Sequence, residues 1–414
     1  MCDTRTFTRR FLTTWLGGTA LAALTLVAAA PGAAVAEDDK VITFGASISL
    51  TGRLAHERRL VRDGYDFIIE HLNQLGGIPV GDDRYQLRGV YYDDESDADT
   101  AARLVDRLLV EDEVDFLLGP YSSLTTFPAS TVAERFEVPM VVAHAAATPI
   151  YERGYRYLFA TLPIIDQFFN AVLDMAVALE PRPETVAIIN EDSMAPTLVL
   201  DSAAARAEHH GVEILYRESY PTGSFDVSSM LAAIRELRPD MVLAGGYTSD
   251  MISLVKQAKD MGVEPALFGL MLGPSLPGFT DTLGADAEYL VEPVEWSPNM
   301  VFTDPVLGWS PMDYAQLFEE RFGYWPDHHP PQSSAAVMVY YHAIEQAGTL
   351  DRQAVRDAIA ETDIMTFYGP VRFDELGRNA AKGMAVIQVQ DGRPVVIYPP
   401  DVATGEIIYP RPTR

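Results

Sequence analysis

Hydroxyl-bearing residues follow two of the apolar runs in this sequence, at the points where helical patterns begin. Ser122-Ser123 follows the apolar run Phe116–Gly119 after two intervening residues, and Thr148 takes the corresponding place after Val138–Ala143. Backbone N–H groups at a helix N-terminus have no intrahelical partner and lie at the positive end of the helix dipole. Hydroxyls placed there suit the binding of a carboxylate. The residues alone leave open an alternative, in which Ser123 and Thr148 are ordinary helix N-caps.

Other residues have types that suit metal or acid chemistry, but their surroundings argue against it. His56-Glu57 is not followed by a second histidine at helical spacing, so a zinc-protease motif is absent. His328-His329 lie in the Pro-rich segment Trp325–Pro331 without companion ligands, which predicts a solvated surface loop rather than a metal site. Asp93-Asp94-Glu95 precede a helical pattern, and this position favours helix capping over cation binding.

Motifs of the common enzyme classes are missing from the sequence. It contains no G-x-S-x-G elbow, no G-x-x-x-x-G-K-[ST] loop, and no G-x-G-x-x-G after the first strand. The 59 acidic residues outnumber the 31 Lys and Arg and give a net charge of −28. Such a chain repels nucleic-acid phosphates and anionic lipid head groups. The sequence therefore predicts a binding protein with no cofactor, no metal and no nucleic-acid partner, rather than an enzyme.

Residues 1–36 have the pattern of an export signal. Arg5, Arg9 and Arg10 precede an apolar stretch from about Leu16 to Ala30, and Ala34-Val35-Ala36 is typical of a signal-peptidase site. Cleavage there would remove the only cysteine, so we expect a disulfide-free protein in the bacterial periplasm with no stable membrane insertion. The arginine pair leaves twin-arginine and Sec export both open. An uncleaved membrane anchor is the alternative.

Apolar runs of strand length alternate with helical patterns along the rest of the chain. One series extends from Val41 to Ala143 and a second from Phe168 to Leu270. A third block has helical patterns between Met312 and Ala360, followed by strands within 385–398. Regular alternation predicts an α/β fold with parallel sheets covered by helices. Because 414 residues exceed what one core usually supports, we expect two domains.

Short motifs occur in a fixed order across residues 40–414. They are Leu50-Thr51-Gly52, Asn73-x-x-Gly76-Gly77, Tyr92-Asp93-Asp94, Gly119-Pro120-Tyr121-Ser122-Ser123, Ala145-Ala146-Ala147-Thr148, Gly245-Gly246-Tyr247 and Tyr368-Gly369-Pro370. Each is weak alone, but in this order and spacing they make the chain resemble one family. It resembles the periplasmic solute-binding proteins of the branched-chain (hydrophobic) amino acid ABC transporters, which have the type I periplasmic binding protein fold.

The resemblance implies two Rossmann-like lobes with parallel sheets, joined by three crossover strands. The crossovers are expected near Phe159–Pro163, Glu292–Ser297 and Val371–Glu375. Lobe one would then comprise residues 40–161 plus 297–371, and lobe two residues 162–296 plus 372–414. The ligand would lie between the lobes at the carboxyl ends of the strands.

The resemblance also implies which residues contact that ligand. Those expected to contact it from the first lobe are Tyr121, Ser122, Ser123, Ala145, Ala146 and Thr148, with Ser122, Ser123 and Thr148 at its carboxylate. Tyr247 matches the aromatic residue that closes over the ligand in this family. Met271 stands where the amino-acid binders have an acidic partner for the ligand ammonium, and Glu57 lies near an aromatic position. Together with Tyr121, Tyr247 and Met194, Met271 would form an apolar wall.

These observations predict the substrate-binding component of an ABC importer. It would capture a small carboxylate-bearing solute as a monomer, close around it by a hinge motion, and deliver it to permease and ATPase subunits. Because Met271 replaces the acid, we expect an aromatic or branched carboxylate rather than a standard α-amino acid, although Glu57 is a candidate replacement acceptor. A periplasmic sensor of the same fold, feeding a regulator or chemoreceptor, is the alternative. A secreted hydrolase is a third hypothesis.

Overall fold

The computed structural model describes residues 40–55, 58–224 and 226–412. The predicted signal peptide and Glu57 lie outside these residues. Sixteen strands occur in the described part of the chain: β1 (Val41–Ile48), β2 (Ile78–Val80), β3 (Asp83–Asp93), β4 (Phe116–Leu118), β5 (Met140–Val142), β6 (Leu158–Pro163), β7 (Thr185–Asp192), β8 (Glu213–Pro221), β9 (Met241–Gly245), β10 (Leu267–Leu270), β11 (Val291–Val294), β12 (Asp363–Thr366), β13 (Gly369–Arg372), β14 (Arg378–Asn379), β15 (Ala385–Gln390) and β16 (Arg393–Tyr398).

Twelve α-helices connect the strands within the described residues. They are α1 (Arg58–Gln74), α2 (Ala98–Val110), α3 (Ser123–Arg135), α4 (Thr148–Tyr151), α5 (Asn170–Ala176), α6 (Met194–His209), α7 (Ser228–Leu237), α8 (Thr248–Asp260), α9 (Pro277–Leu283), α10 (Pro311–Phe322), α11 (His329–Ala347) and α12 (Arg352–Ala360). None of the described helices is both long and apolar enough to cross a membrane.

The first sheet has seven strands in the order β14-β6-β5-β4-β1-β3-β2. Its strands are parallel except for β2, which pairs antiparallel with β3. In β1, Ile42, Phe44, Ala46 and Ile48 are fully buried, and the residues between them are buried as well. Burial on both faces is what a parallel sheet covered by helices on each side requires.

The second sheet also has seven strands, in the order β16-β15-β11-β10-β9-β7-β8. Strands β8, β7, β9, β10 and β11 are parallel, whereas β15 and β16 extend the sheet antiparallel at one edge. Parallel strands place their carboxyl ends along one edge of the sheet, so the loops that follow β7, β9 and β10 lie together. We call the first sheet with its helices lobe one and the second sheet with its helices lobe two.

The chain passes between the two sheets three times, which is the number of crossovers that the resemblance implied. It leaves the first sheet after β6, returns after β11, and leaves again after β14. The third passage differs from the prediction in place. Residues Arg378–Asn379 pair with β6 of the first sheet, so this passage follows Asn379 rather than lying near Val371–Glu375.

Helix α11 is the structural element that brings unforeseen residues to the space between the lobes. Fifteen of its 19 residues are buried, as is expected of a helix enclosed on all sides. It begins with prolines in its first turn, where a missing N–H costs nothing, and ends at Gly348 in a left-handed conformation. Gly64 of α1 permits the close approach of α11, because a Cβ there would lie 2.5 Å from the Pro330 carbonyl oxygen.

Candidate functional site

A cavity of about 70 Å³ lies between the two lobes. The wall from lobe one includes Tyr121, Ser122, Ser123, His144, Ala146, His328, His329 and Gln332. The wall from lobe two includes Ala195, Tyr247, Met271, Leu272 and Glu292. Apolar and aromatic walls with a few convergent polar groups are the usual lining of a small-molecule site.

The serine pair lies where the sequence predicted, between the end of β4 and the start of α3. Ser122 is the N-cap of α3, and it takes a φ of 79°, in the left-handed region that favours glycine. Ser123 is the first helical residue, and its Oγ accepts a hydrogen bond from the Ala147 N–H at 3.2 Å. A hydroxyl that accepts one bond still has a proton to donate, so Ser123 can serve an anionic ligand group.

The loop before α4 contributes less to the cavity than the sequence suggested. Ala146 lines it, but Ala145 is buried in the core and Thr148 lies outside the lining. Thr148 is the first residue of α4, and its buried Oγ1 has no hydrogen-bond partner among the described residues. Met194, the first residue of α6, is also absent from the lining, although its neighbour Ala195 contributes.

The lobes contact each other through residues beside the cavity. The rings of Tyr121 and Tyr247, one from each lobe, lie 6.5 Å apart between centroids in an edge-on arrangement. Arg53 of lobe one lies with its guanidinium 4.9 Å from the centroid of the Tyr247 ring. The same guanidinium forms an ion pair of 2.7 Å with the fully buried carboxylate of Glu191 in lobe two. These contacts join residues of the two lobes beside the cavity.

His328 and His329 correct one sequence-based expectation. They are buried at the start of α11 and line the cavity, so the prediction of a solvated surface loop is wrong. The Asp327 carboxylate accepts the His329 N–H and lies 2.9 Å from Nδ1 of the same residue. Nε2 of His329 lies 3.3 Å from the Tyr121 hydroxyl. Prolines directly after the histidine pair were the missed signal, because they are typical of a first helical turn.

His144 adds a third imidazole to this side of the cavity. Its Nε2 lies 2.7 Å from Oγ of Ser333, and its ring lies 5.4 Å from that of His329. Burial lowers the pKa of both His144 and His328. Burial alone would raise the pKa of Asp327, but the adjacent His329 and His328 rings and the hydrogen bonds from His329 bring it below its usual value.

Two acidic residues, Glu292 and Glu295, also line the cavity. The sequence pointed only to Glu57 as an acid near the cleft, so these two acids are additional to it. The Glu292 carboxylate accepts hydrogen bonds from the Ser275 N–H at 2.6 Å and from its hydroxyl at 3.0 Å. Burial nevertheless raises the pKa of Glu292 well above its usual value. No sequence motif marked this residue, because it lies inside a short buried strand.

Comparison with known proteins identifies the family. A model of the periplasmic binding protein family matches residues 41–394. The chain belongs to the periplasmic binding protein family. The family and the fold predicted from the sequence motifs are thereby confirmed.

Curated relatives and solved structures agree with this assignment. This periplasmic binding protein is 27% identical over 408 residues to Leu/Ile/Val-binding protein homolog 7 of Brucella suis biovar 1, covering 94% of this chain and 99% of the relative. It shares the fold of the LivJ substrate-binding protein of Streptococcus pneumoniae, solved with isoleucine (TM-score 0.76, 20% identity, 87% and 100% covered). It also shares the fold of a Rhodopseudomonas palustris solute-binding protein solved with benzoate (TM-score 0.73, 16% identity, 86% and 95% covered).

Proposed function

We propose that this periplasmic binding protein captures a small carboxylate-bearing solute with an aromatic or branched body for an ABC importer. The observation that carries the proposal is the cavity itself, whose walls come from both lobes. A solute that touches both lobes binds the closed state better than the open state and therefore shifts the equilibrium toward closure. The relatives support the transport role, since their names describe Leu/Ile/Val-binding proteins and ABC transporter components.

The polar end of the solute is assigned to the start of α3. There the Ser123 hydroxyl and the free N–H groups of the first turn form a site for an anion at the positive end of the helix dipole. Micromolar affinity requires only about −8 kcal/mol. A few charge-assisted hydrogen bonds of about 1.5–3 kcal/mol each, with burial of the solute body, suffice.

The body of the solute is assigned to the aromatic surfaces of the cavity. Tyr121 and Tyr247 meet edge-on, and Met271 lies beside them in the wall. A flat ring or a branched chain fits between such surfaces. The structures solved with isoleucine and with benzoate show that neighbours of this fold hold both kinds of body. We propose a carboxylate without an α-ammonium, with Glu292 kept protonated by its burial.

Calorimetry with matched solutes tests this assignment. Mature protein is titrated with two pairs of solutes that differ by the ammonium group: leucine with 4-methylpentanoate, and phenylalanine with 3-phenylpropanoate. Benzoate is titrated as a further aromatic acid. Micromolar binding of a deaminated acid, with its amino acid at least tenfold weaker, is expected. Tighter binding of the amino acids would indicate that Glu292 or Glu295 binds the ligand ammonium, and it would overturn the proposed solute class. Binding of none of the carboxylates would overturn the proposed function.

We propose further that residues 1–36 are removed on export, that the mature protein is a monomer, and that it catalyses no turnover of its solute. The motivation is the Ala34-Val35-Ala36 pattern and the absence of membrane-spanning helices among the described residues. Mass spectrometry of periplasmic protein should give an N-terminus at Glu37, and light scattering a single-chain mass. An intact N-terminus in the membrane fraction would contradict export.

A further inference from the structure

One buried acid in the wall of the cavity lacks a hydrogen bond. Glu295 stands in the passage that follows β11 and is 5% exposed. It lines the cavity between the lobes but not the larger groove beside that cavity. Nε2 of His328 lies 3.9 Å from Oε2 of Glu295, which is beyond hydrogen-bond distance. None of the described residues donates a hydrogen bond to this carboxylate.

The neighbouring buried acids are hydrogen-bonded by the protein itself. Glu292 accepts bonds from the N–H and the hydroxyl of Ser275, and Asp327 accepts one from the N–H of His329. A buried carboxylate without donors is costly, so a native structure that contains one calls for a partner from outside the chain. Glu295 is therefore the acid of this wall that is available to the solute.

Charge decides which end of the solute meets Glu295. Two carboxylates repel each other, and they do so more strongly in a buried site than in water. The solute carboxylate therefore stays beside Ser123 at the start of α3, and Glu295 faces another part of the solute. Along the wall, the Tyr121 hydroxyl lies 3.3 Å from Nε2 of His329, whose ring is stacked 4.2 Å from that of His328. These rings lead from the carboxylate end to Glu295.

A hydroxyl suits this place better than an ammonium. The buried Nζ of Lys382 donates to the carbonyl oxygen of Tyr368, and the charge of Glu295 opposes the lowering of the Lys382 pKa by burial. The charged form of Lys382 would repel a second cation at Glu295. Nε2 of Gln332, in the same cavity wall, is buried without a hydrogen-bond partner among the described residues. A hydroxyl can both donate and accept, whereas an ammonium only donates.

We propose that Glu295 selects solutes with a hydroxyl at the end of the body remote from the carboxylate, and that this hydroxyl donates a hydrogen bond to the Glu295 carboxylate. The inference rests on the proposed function and narrows its solute class to hydroxylated carboxylates. A site that pairs a buried charged group with a hydroxyl of its ligand rejects the analogue without the hydroxyl, because that analogue leaves the buried group unpaired.

Calorimetry with solutes that differ by one hydroxyl tests the inference. Mature protein is titrated with benzoate against 3-hydroxybenzoate and 4-hydroxybenzoate, and with 3-phenylpropanoate against 3-(4-hydroxyphenyl)propanoate. In at least one series the native protein should bind a hydroxylated acid at least about tenfold more tightly than the parent acid. Glu295→Leu should reduce that ratio to below about twofold, and Glu295→Gln, which keeps an acceptor, to an intermediate value.

Glu319→Gln is the matched control, because it removes an acid that lines the adjacent groove rather than the cavity. It should keep the native ratio. Each ratio compares two solutes on one protein, so a general loss of affinity in a variant does not change it. Thermal unfolding checks that each variant is folded.

Three outcomes would overturn the inference while the proposed function stands. They are equal binding of the hydroxylated and parent acids in both series, a native ratio retained in Glu295→Leu, and tighter binding of 4-(aminomethyl)benzoate than of either hydroxybenzoate, which would assign a cation to Glu295. In each of these cases carboxylates still bind. Binding of none of the carboxylates would instead overturn the proposed function and, with it, this inference.

Discussion

The ion pair between Arg53 and Glu191 gives the most direct test of how closure contributes to affinity. It joins the lobes at 2.7 Å, with Arg53 22% exposed and the Glu191 side chain fully buried. A hydrogen bond to a charged group contributes about 1.5–3 kcal/mol. Since this bond connects the two lobes, we expect it to be lost on opening, and Arg53→Ala should weaken solute binding by about 10- to 150-fold. The contact of the Arg53 guanidinium with the Tyr247 ring adds to the loss.

Calorimetry and small-angle scattering measure the two sides of this prediction. Arg53→Ala should raise the dissociation constant and enlarge the radius of gyration of the solute-free protein. The variant leaves Glu191 buried without its cation in the closed form, and such a charge is itself strongly destabilising. Glu191→Gln in the Arg53→Ala background should therefore recover part of the affinity, as a double-mutant cycle reports.

Arg59→Ala serves as the matched control, because Arg59 pairs with Asp63 on the same helix rather than across the cleft. It removes one arginine charge from the same region of the chain. Its solute affinity should stay within about twofold of native, as expected for an exposed ion pair. Unchanged affinity in Arg53→Ala, or an equal loss in both variants, would refute the assignment of the ion pair to closure.

Three further predictions follow from individual side chains. Ser123→Ala should weaken carboxylate binding by about 1.5–3 kcal/mol in calorimetry, whereas Thr148→Ala, at a residue that lies outside the cavity lining, should leave the affinity nearly unchanged; unchanged affinity in Ser123→Ala would contradict the carboxylate site. Burial lowers the pKa of Lys382 to about 7. Between pH 7 and 10 the unfolded protein therefore binds more protons than the folded protein, and the free energy of unfolding rises with pH. Lys382→Met should flatten that rise in urea titrations. Burial raises the pKa of Asp94 to about 6, so the stability that this side chain contributes below pH 4 is lost as the pH rises through 6. The unfolding free energy of Asp94→Asn should rise by about 3 kcal/mol relative to that of the native protein between pH 4 and pH 7. A difference that stays constant with pH would refute the raised pKa.

Much of the architecture was open to prediction because it depends on local periodicity. Alternating apolar runs and helical patterns gave two parallel sheets, and the carboxyl ends of β4 and β9 placed Tyr121, Ser123 and Tyr247 at one cavity. The number of crossovers came from the family resemblance. The position of the third crossover was not predicted, because a strand of only two residues, Arg378–Asn379, shows no hydrophobic periodicity.

The histidine side of the cavity was missed for a tertiary reason. His328 and His329 stand among prolines and polar residues, a local composition typical of an exposed loop. Their burial comes from helix α11, which is enclosed by neighbours remote in sequence. Glu292 was missed in the same way, since its acidity contradicts its position in a buried strand. Long-range packing, rather than local pattern, decides which polar residues reach the cavity.

Gly64 does not line the cavity, but it limits where helix α11 can lie. A Cβ there would lie 2.7 Å from Cα of Pro330 and 2.8 Å from Cβ of Ser333, both in the opening turns of α11. Because backbone cannot yield as a flexible side chain does, any larger residue must displace the helix, and the histidines at its start would move with it. A single methyl group added to α1 would thus shift the start of α11, while every residue of the cavity wall stays the same.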